Sequence, residues 1–153
     1  MRYQTIAGAI GLAALTGCAT VPREQPITIM LSGTSTEVQS FIEDTIMSAE
    51  NNKFEVYSAD NRSISFKADC MSVPDMNAFK CAMVMTIIGN TGWDGPYLMM
   101  NFRTTELKGK VKVTCNPAWC ATNTFNKTNC GPALGATETN ALLRRLESAY
   151  NRQ

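Results

Sequence analysis

The chain has 153 residues and 16.7 kDa, the size of one domain, and is 44% hydrophobic and 18% charged. Fourteen Lys and Arg against 13 Asp and Glu leave a net charge of +1, too little basic excess to neutralise a phosphate backbone, so nucleic acid is not an expected partner. No histidine occurs, which excludes Ser-His-Asp and Cys-His nucleophile systems, HExxH metalloproteases and His-ligated zinc.

The first element is apolar. After the single charge of Arg2, Ile6 to Leu15 carries no charged side chain over ten residues, half the length that spans a bilayer. That length suits the apolar core of a secretory signal. The run ends in Leu15-Thr16-Gly17-Cys18. These four residues resemble the lipobox of bacterial lipoproteins: Leu, a small residue, Gly or Ala, then Cys. The resemblance covers residues 1–18 and implies that residues 1–17 are removed and that Cys18 is lipidated. In that family the thiol takes a diacylglycerol and the freed amino group is acylated, giving a palmitate-type anchor. Ala19, where Asp would retain the protein in the inner membrane, implies the periplasmic face of the outer membrane. Several acyl chains make such an anchor stable, since each buried methylene contributes about 0.8 kcal/mol. The mature chain would then have 136 residues (153 − 17).

Ala19 to Pro26 holds two prolines and no periodicity, so with Cys18 it reads as a lipidated N-terminus and an extended tether. Its eight residues reach at most about 26 Å, which keeps the domain of residues 27–153 against its membrane.

Pro26 to Leu31 is a strand by its β-branched residues. Thr34 and Glu37 have capping-box spacing, and Val38, Phe41, Ile42, Thr45, Ile46 and Ala49 form one helical stripe that Asn51-Asn52 ends. Lys53–Ser58 and Arg62–Asp69 read as strands around the turn Ala59-Asp60-Asn61. Lys80–Ile88 and Tyr97–Glu106 continue the hairpin series, and Gly109 turns the chain into Lys110–Cys115. After a polar loop, Thr137 is expected to cap a helix with the stripe Leu142, Leu143, Leu146, Ala149 and Tyr150. The order β-α-β-β-β-β-β-α predicts an α+β two-layer sandwich, an antiparallel sheet of five to six strands with two helices on one face.

With Cys18 lipidated, five cysteines remain, and an exported chain passes through an oxidising space. Cys70 shares strand parity with Ile64, Phe66 and Ala68, and Cys81 with Met83, Met85 and Ile87, which pairs Cys70 with Cys81. Cys115 follows the inward phase of Val111 and Val113, which favours Cys120–Cys130 for the second bridge, with Cys115–Cys130 close behind. No CxxC occurs, so no metal and no cofactor is expected. Met83 and Met85, a candidate copper pair, read as core.

Glu43, Asp44, Asp60, Asp69, Asp75, Asp94 and Glu106 show no pairing for acid–base work, and no Ser-x-x-Lys occurs, so the chain is not expected to be an enzyme. The loop Gly89–Pro96 is the binding candidate. It sets Trp93 and Asp94 among three glycines and a proline, although Trp93 is equally well placed to cover the core edge. Trp119, between Cys115 and Cys120, reads as structural. The expected function is a non-enzymatic, lipid-anchored protein that binds an envelope protein partner. The alternatives are an immunity, exclusion or inhibitor lipoprotein acting on an incoming or periplasmic protein, and, last, a small enzyme.

Overall fold

The computed structural model describes residues 25–49, 52–89, 94–133 and 136–153. The signal segment, Cys18 and Trp93 lie outside these residues, as does the side chain of Asp94. The elements are β1 (Ile29–Ser32), α1 (Ser35–Met47), β2 (Glu55–Ala59), β3 (Ser63–Asp69), a 3-10 turn (Cys70–Ser72), α2 (Ala78–Ile87), β4 (Asp94–Leu107), β5 (Lys110–Thr122), β6 (Thr128–Pro132) and α3 (Thr137–Tyr150).

All strand pairs are antiparallel, in the order β1-β5-β4-β3-β2. β6 also pairs with β5, beyond the end of β1: β1 takes Lys110–Val113 and β6 takes Ala118–Thr122. The chain is therefore α+β, with a six-stranded sheet and, among the described residues, three α-helices rather than two.

The core lies on one face of the sheet. Ile29 and Leu31 of β1, Ile64 and Phe66 of β3, Met100 and Phe102 of β4, and Val111, Val113 and Cys115 of β5 meet α1 through Val38, Phe41, Ile42 and Ile46. Leu143 and Leu146 of α3 complete this layer. Phe66 and Phe102 pack edge to face at 5.9 Å, and Phe41 does the same with Tyr150 at 4.9 Å.

α1 starts where the sequence places it. Thr34 Oγ1 accepts from the Glu37 amide at 3.3 Å, and the Glu37 carboxylate accepts from the Thr34 amide at 2.8 Å. The Thr34 amide foremost, and then the Thr34 hydroxyl, which donates to the same carboxylate at 3.0 Å, hold the Glu37 carboxyl below its usual value. α3 begins one residue earlier than expected: Ala136 is its N-cap and makes no side-chain cap bond, so Thr137 is the first helical residue and not the cap.

Two segments exchange roles relative to the sequence reading. Lys80–Ile88 is not a strand; it belongs to α2. Asn77 caps that helix by accepting from the Lys80 amide at 3.0 Å, and Ala, Met and Lys favour helix over strand. The buried or half-buried positions are Cys81, Val84, Met85 and Ile88, a spacing of three to four, whereas Met83 is exposed and not core. Conversely, the polar stretch after Cys115 is not a loop. β5 runs on to Thr122 and β6 returns beside it, so the six-strand total stands with a different sixth strand.

Both bridges form as expected: Cys70–Cys81 and Cys120–Cys130, with Cys115 a buried free thiol. The geometry of the first differs from its expectation. It ties the end of β3 to a helix, not one strand to the next.

Candidate functional site

The end of the sheet opposite the β4–β5 turn carries the features that the core does not absorb. Cross-strand partners share a face, and the register sets Ala68, Leu98, Trp119 and Gly131 in one row on the core face. α2 lies across this row. Cys81 is bridged to Cys70, two residues beyond Ala68, and a Cβ built on Gly131 would come within 3.0 Å of Ile88 Cγ2. Trp119 is half-buried in this row, in keeping with a structural role.

With Cys81, Val84, Met85 and Ile88 turned to the sheet, the opposite side of α2 presents Phe79, Met83 and Ile87, spaced i, i+4, i+8. They are 74%, 49% and 69% exposed. Met71, in the 3-10 turn beside the bridge, is exposed as well. A helix with so few polar residues is usually buried on most sides, and α2, with Lys80 its one charge, buries only one.

Beyond Thr122 the β5–β6 hairpin projects past this row. Its turn is built by Asn123, whose side-chain oxygen accepts from the amides of Phe125 at 3.0 Å and Lys127 at 2.9 Å. Asn126 takes φ +56, which Asn tolerates better than most residues. Thr122 and Thr128 hydroxyls meet at 2.9 Å, and Cys120–Cys130 joins the strands behind them. The tip of this braced turn is Phe125, 88% exposed.

The described end of the expected binding loop, from the Asp94 backbone to Pro96, lies in the same region. Asp94 opens β4 with its backbone opposite Thr122, at the hairpin base. Gly95, at φ +125, packs so closely on β5 that a Cβ there would lie 2.9 Å from Ala121 Cα; only glycine fits. Tyr97, two residues on in the strand, is buried with Lys67 Nζ 4.5 Å over its ring. The structure thus brings the Asp94 backbone and the Cys120–Cys130 bridge together and leaves Cys70–Cys81 under α2. Phe125 and the outer stripe of α2 were missed by sequence reasoning. The signal for α2 was present: Phe79, Met83 and Ile87 have helical spacing once Asn77 is recognised as a cap.

The remaining surface offers less. A shallow polar depression at the β2–β3 turn is lined by Asp60, Arg62, Ser63 and Arg103, but Asp60 is already committed. Its carboxylate accepts from the Arg62 and Ser63 amides at 2.7 and 2.8 Å, which holds its pKa down. Among the described residues no three of His, Cys, Asp and Glu gather as metal ligands, and every buried side-chain nitrogen and oxygen is hydrogen-bonded. Burial pushes the Cys115 thiol up to about 12, so it is a packed side chain and a poor nucleophile. No family model, curated protein or solved structure matches this chain.

Proposed function

We propose that this chain is a non-enzymatic lipoprotein, anchored through Cys18 at the periplasmic face of the outer membrane, that binds an envelope protein through the β5–β6 hairpin. The observation that carries the binding role is Phe125, the most exposed large apolar side chain among the described residues, held out on a turn that its own hydrogen bonds and a disulfide make rigid. A rigid aromatic loses little conformational entropy when it enters a partner's pocket, which is why such residues anchor interfaces. The two disulfides support the anchored, exported reading, because bridges of this kind persist in oxidising compartments. The lipobox residues Leu15 to Cys18 and the following Ala19 support the anchor and its membrane.

The test places a photocrosslinking amino acid at Phe125 in the full chain, expressed in its native envelope, with Leu107 as the control position. One dominant adduct at Phe125 and none at Leu107 identifies the partner. Phe125→Ala should then weaken that partner's binding by about 2 kcal/mol or more with an unchanged melt. Equal labelling at both positions, or binding indifferent to Phe125→Ala, rejects the hairpin as the binding site. Palmitate label that persists in Cys18→Ser rejects the anchor.

A further inference from the structure

We infer that the outer face of α2 rests on the phospholipid surface that carries the lipid anchor, with Phe79, Met83 and Ile87 entering the acyl boundary. The inference rests on the lipid-anchor reading of Cys18 and adds to it a second, non-covalent contact with the same membrane.

Where the tether leaves the domain makes the argument. Asn140 of α3, almost fully buried, holds the incoming chain by both ends of its amide: Nδ2 donates to the Gln25 carbonyl at 2.8 Å, and Oδ1 accepts from the Ile27 amide at 3.0 Å. The exit point is therefore fixed at the first turn of α3. That turn follows β6 closely, and Gly131 of β6 is the residue that touches Ile88, next to Ile87. The five residues from Gly131 to Ala136 span at most about 17 Å. From Gln25 back to Cys18 there are seven residues, at most about 23 Å when fully extended. An anchor this short, leaving the domain this near to α2, brings the bilayer within reach of the apolar stripe.

The chemistry of α2 suits that surface. Its ten residues are about 15 Å long, too short to cross a bilayer but long enough to lie in its interface. It carries one charge, Lys80, and no carboxylate, so anionic headgroups meet no repulsion from it. The outer side of α1 instead shows Glu37, Glu43 and Asp44, all exposed, which a negatively charged leaflet disfavours. Among the described residues, α2 is the only helix of this face that is apolar outward. The Cys70–Cys81 bridge fixes its roll, so the stripe cannot turn inward.

The test uses the mature acylated protein in vesicles of phosphatidylethanolamine and phosphatidylglycerol whose acyl chains are brominated. Tryptophan is introduced in turn by Phe79→Trp, Ile87→Trp and Leu107→Trp, each read against the native background. Leu107 is the control, exposed at the opposite end of the sheet, nine residues along β4 from Leu98 and so about 30 Å away. The expected result is quenching of the added fluorescence by about half or more at positions 79 and 87, with none at 107. Absence of quenching at 79 and 87, in a preparation whose intact mass shows acyl chains, overturns membrane docking and leaves the anchor reading standing. Fluorescence shifted to the blue without quenching, together with concentration-dependent sedimentation, assigns the stripe to a second copy and also overturns it. An intact mass without acyl groups removes the anchor, and the docking proposal with it.

Discussion

α1 and α2 lie over the same face of one sheet, yet they are built on opposite principles. α1 buries Val38, Phe41, Ile42 and Ile46 and turns Thr36, Ser40, Glu43 and Asp44 to water. α2 fully buries Cys81 alone and turns Phe79, Met83 and Ile87 to water. The first is amphipathic and folds the domain. The second is apolar apart from Lys80 and Thr86 and is held on the domain by a covalent bond. Stability that burial does not supply can be supplied by a disulfide, and the apolar face then remains available for contact outside the chain.

The comparison is broken most sharply by truncation. Ile42→Ala should cost about 3 kcal/mol in a urea titration, because it removes a fully buried side chain from a core that closes only in part. Ile87→Ala should change the same midpoint little, as surface substitutions usually do. A large loss at Ile87 would mean that α2 belongs to the core after all.

The next effect in size is the bridge. Removing it by Cys70→Ala with Cys81→Ala should lower stability by about 2–3 kcal/mol, on the chain-entropy estimate for a sequence separation of 11. The loss should fall mainly on α2, read as faster amide exchange over Ala78–Ile87 than over Ser35–Met47. In the native protein, intact mass should show two disulfides and one thiol. That thiol, Cys115, should resist alkylation at pH 8 until denaturant is added.

The caps come third. Thr34→Ala should cost about 1 kcal/mol by thermal melt, and Asn77→Ala should cost less globally while fraying α2 locally. The smallest effect is that of acid. Because the folded pKa of Glu37 lies below the usual 4.5, its contribution is complete above that value and fades as pH falls through the lowered one. Glu37→Gln, which removes the titrating group, should therefore flatten the stability curve below about pH 5, a difference that an unchanged slope would contradict.

α1, α3, β1 and the β2–β3 hairpin were legible because their signals are local. A capping box, an i, i+3, i+4 stripe or an Asx turn names its own geometry. Lys80–Ile88 was misread for a physical reason: Cys81, Met83, Met85 and Ile87 alternate, and a short apolar run fits a period of two as well as one of 3.6. The Cys70–Cys81 pairing nevertheless came out right from that strand-parity argument. Loop closure over a separation of 11 brings the thiols together whichever element carries the second. β6 was not legible, since Thr128–Pro132 is polar and contains Gly and Pro; it is a strand because β5 offers a free edge beyond β1.

The residues alone determined the class of the fold, the first helix and its cap, the Cys70–Cys81 bridge and the expectation of a lipid anchor, and they favoured Cys120–Cys130 over Cys115–Cys130 without deciding between them. Each depends on neighbours in sequence, on parity or on residue chemistry. Only the tertiary structure decided which apolar residues remain in water. Exposure is a property of what the rest of the chain covers, and nothing in Phe79, Met83, Ile87 or Phe125 as residues distinguishes them from Phe66 or Ile42. The row formed by Ala68, Leu98, Trp119 and Gly131 accepts one side of α2, and the β5–β6 hairpin beyond Thr122 displays Phe125 at its turn. That placement brings the apolar helix, the displayed aromatic and the tether exit at Gln25 to one end of the sheet.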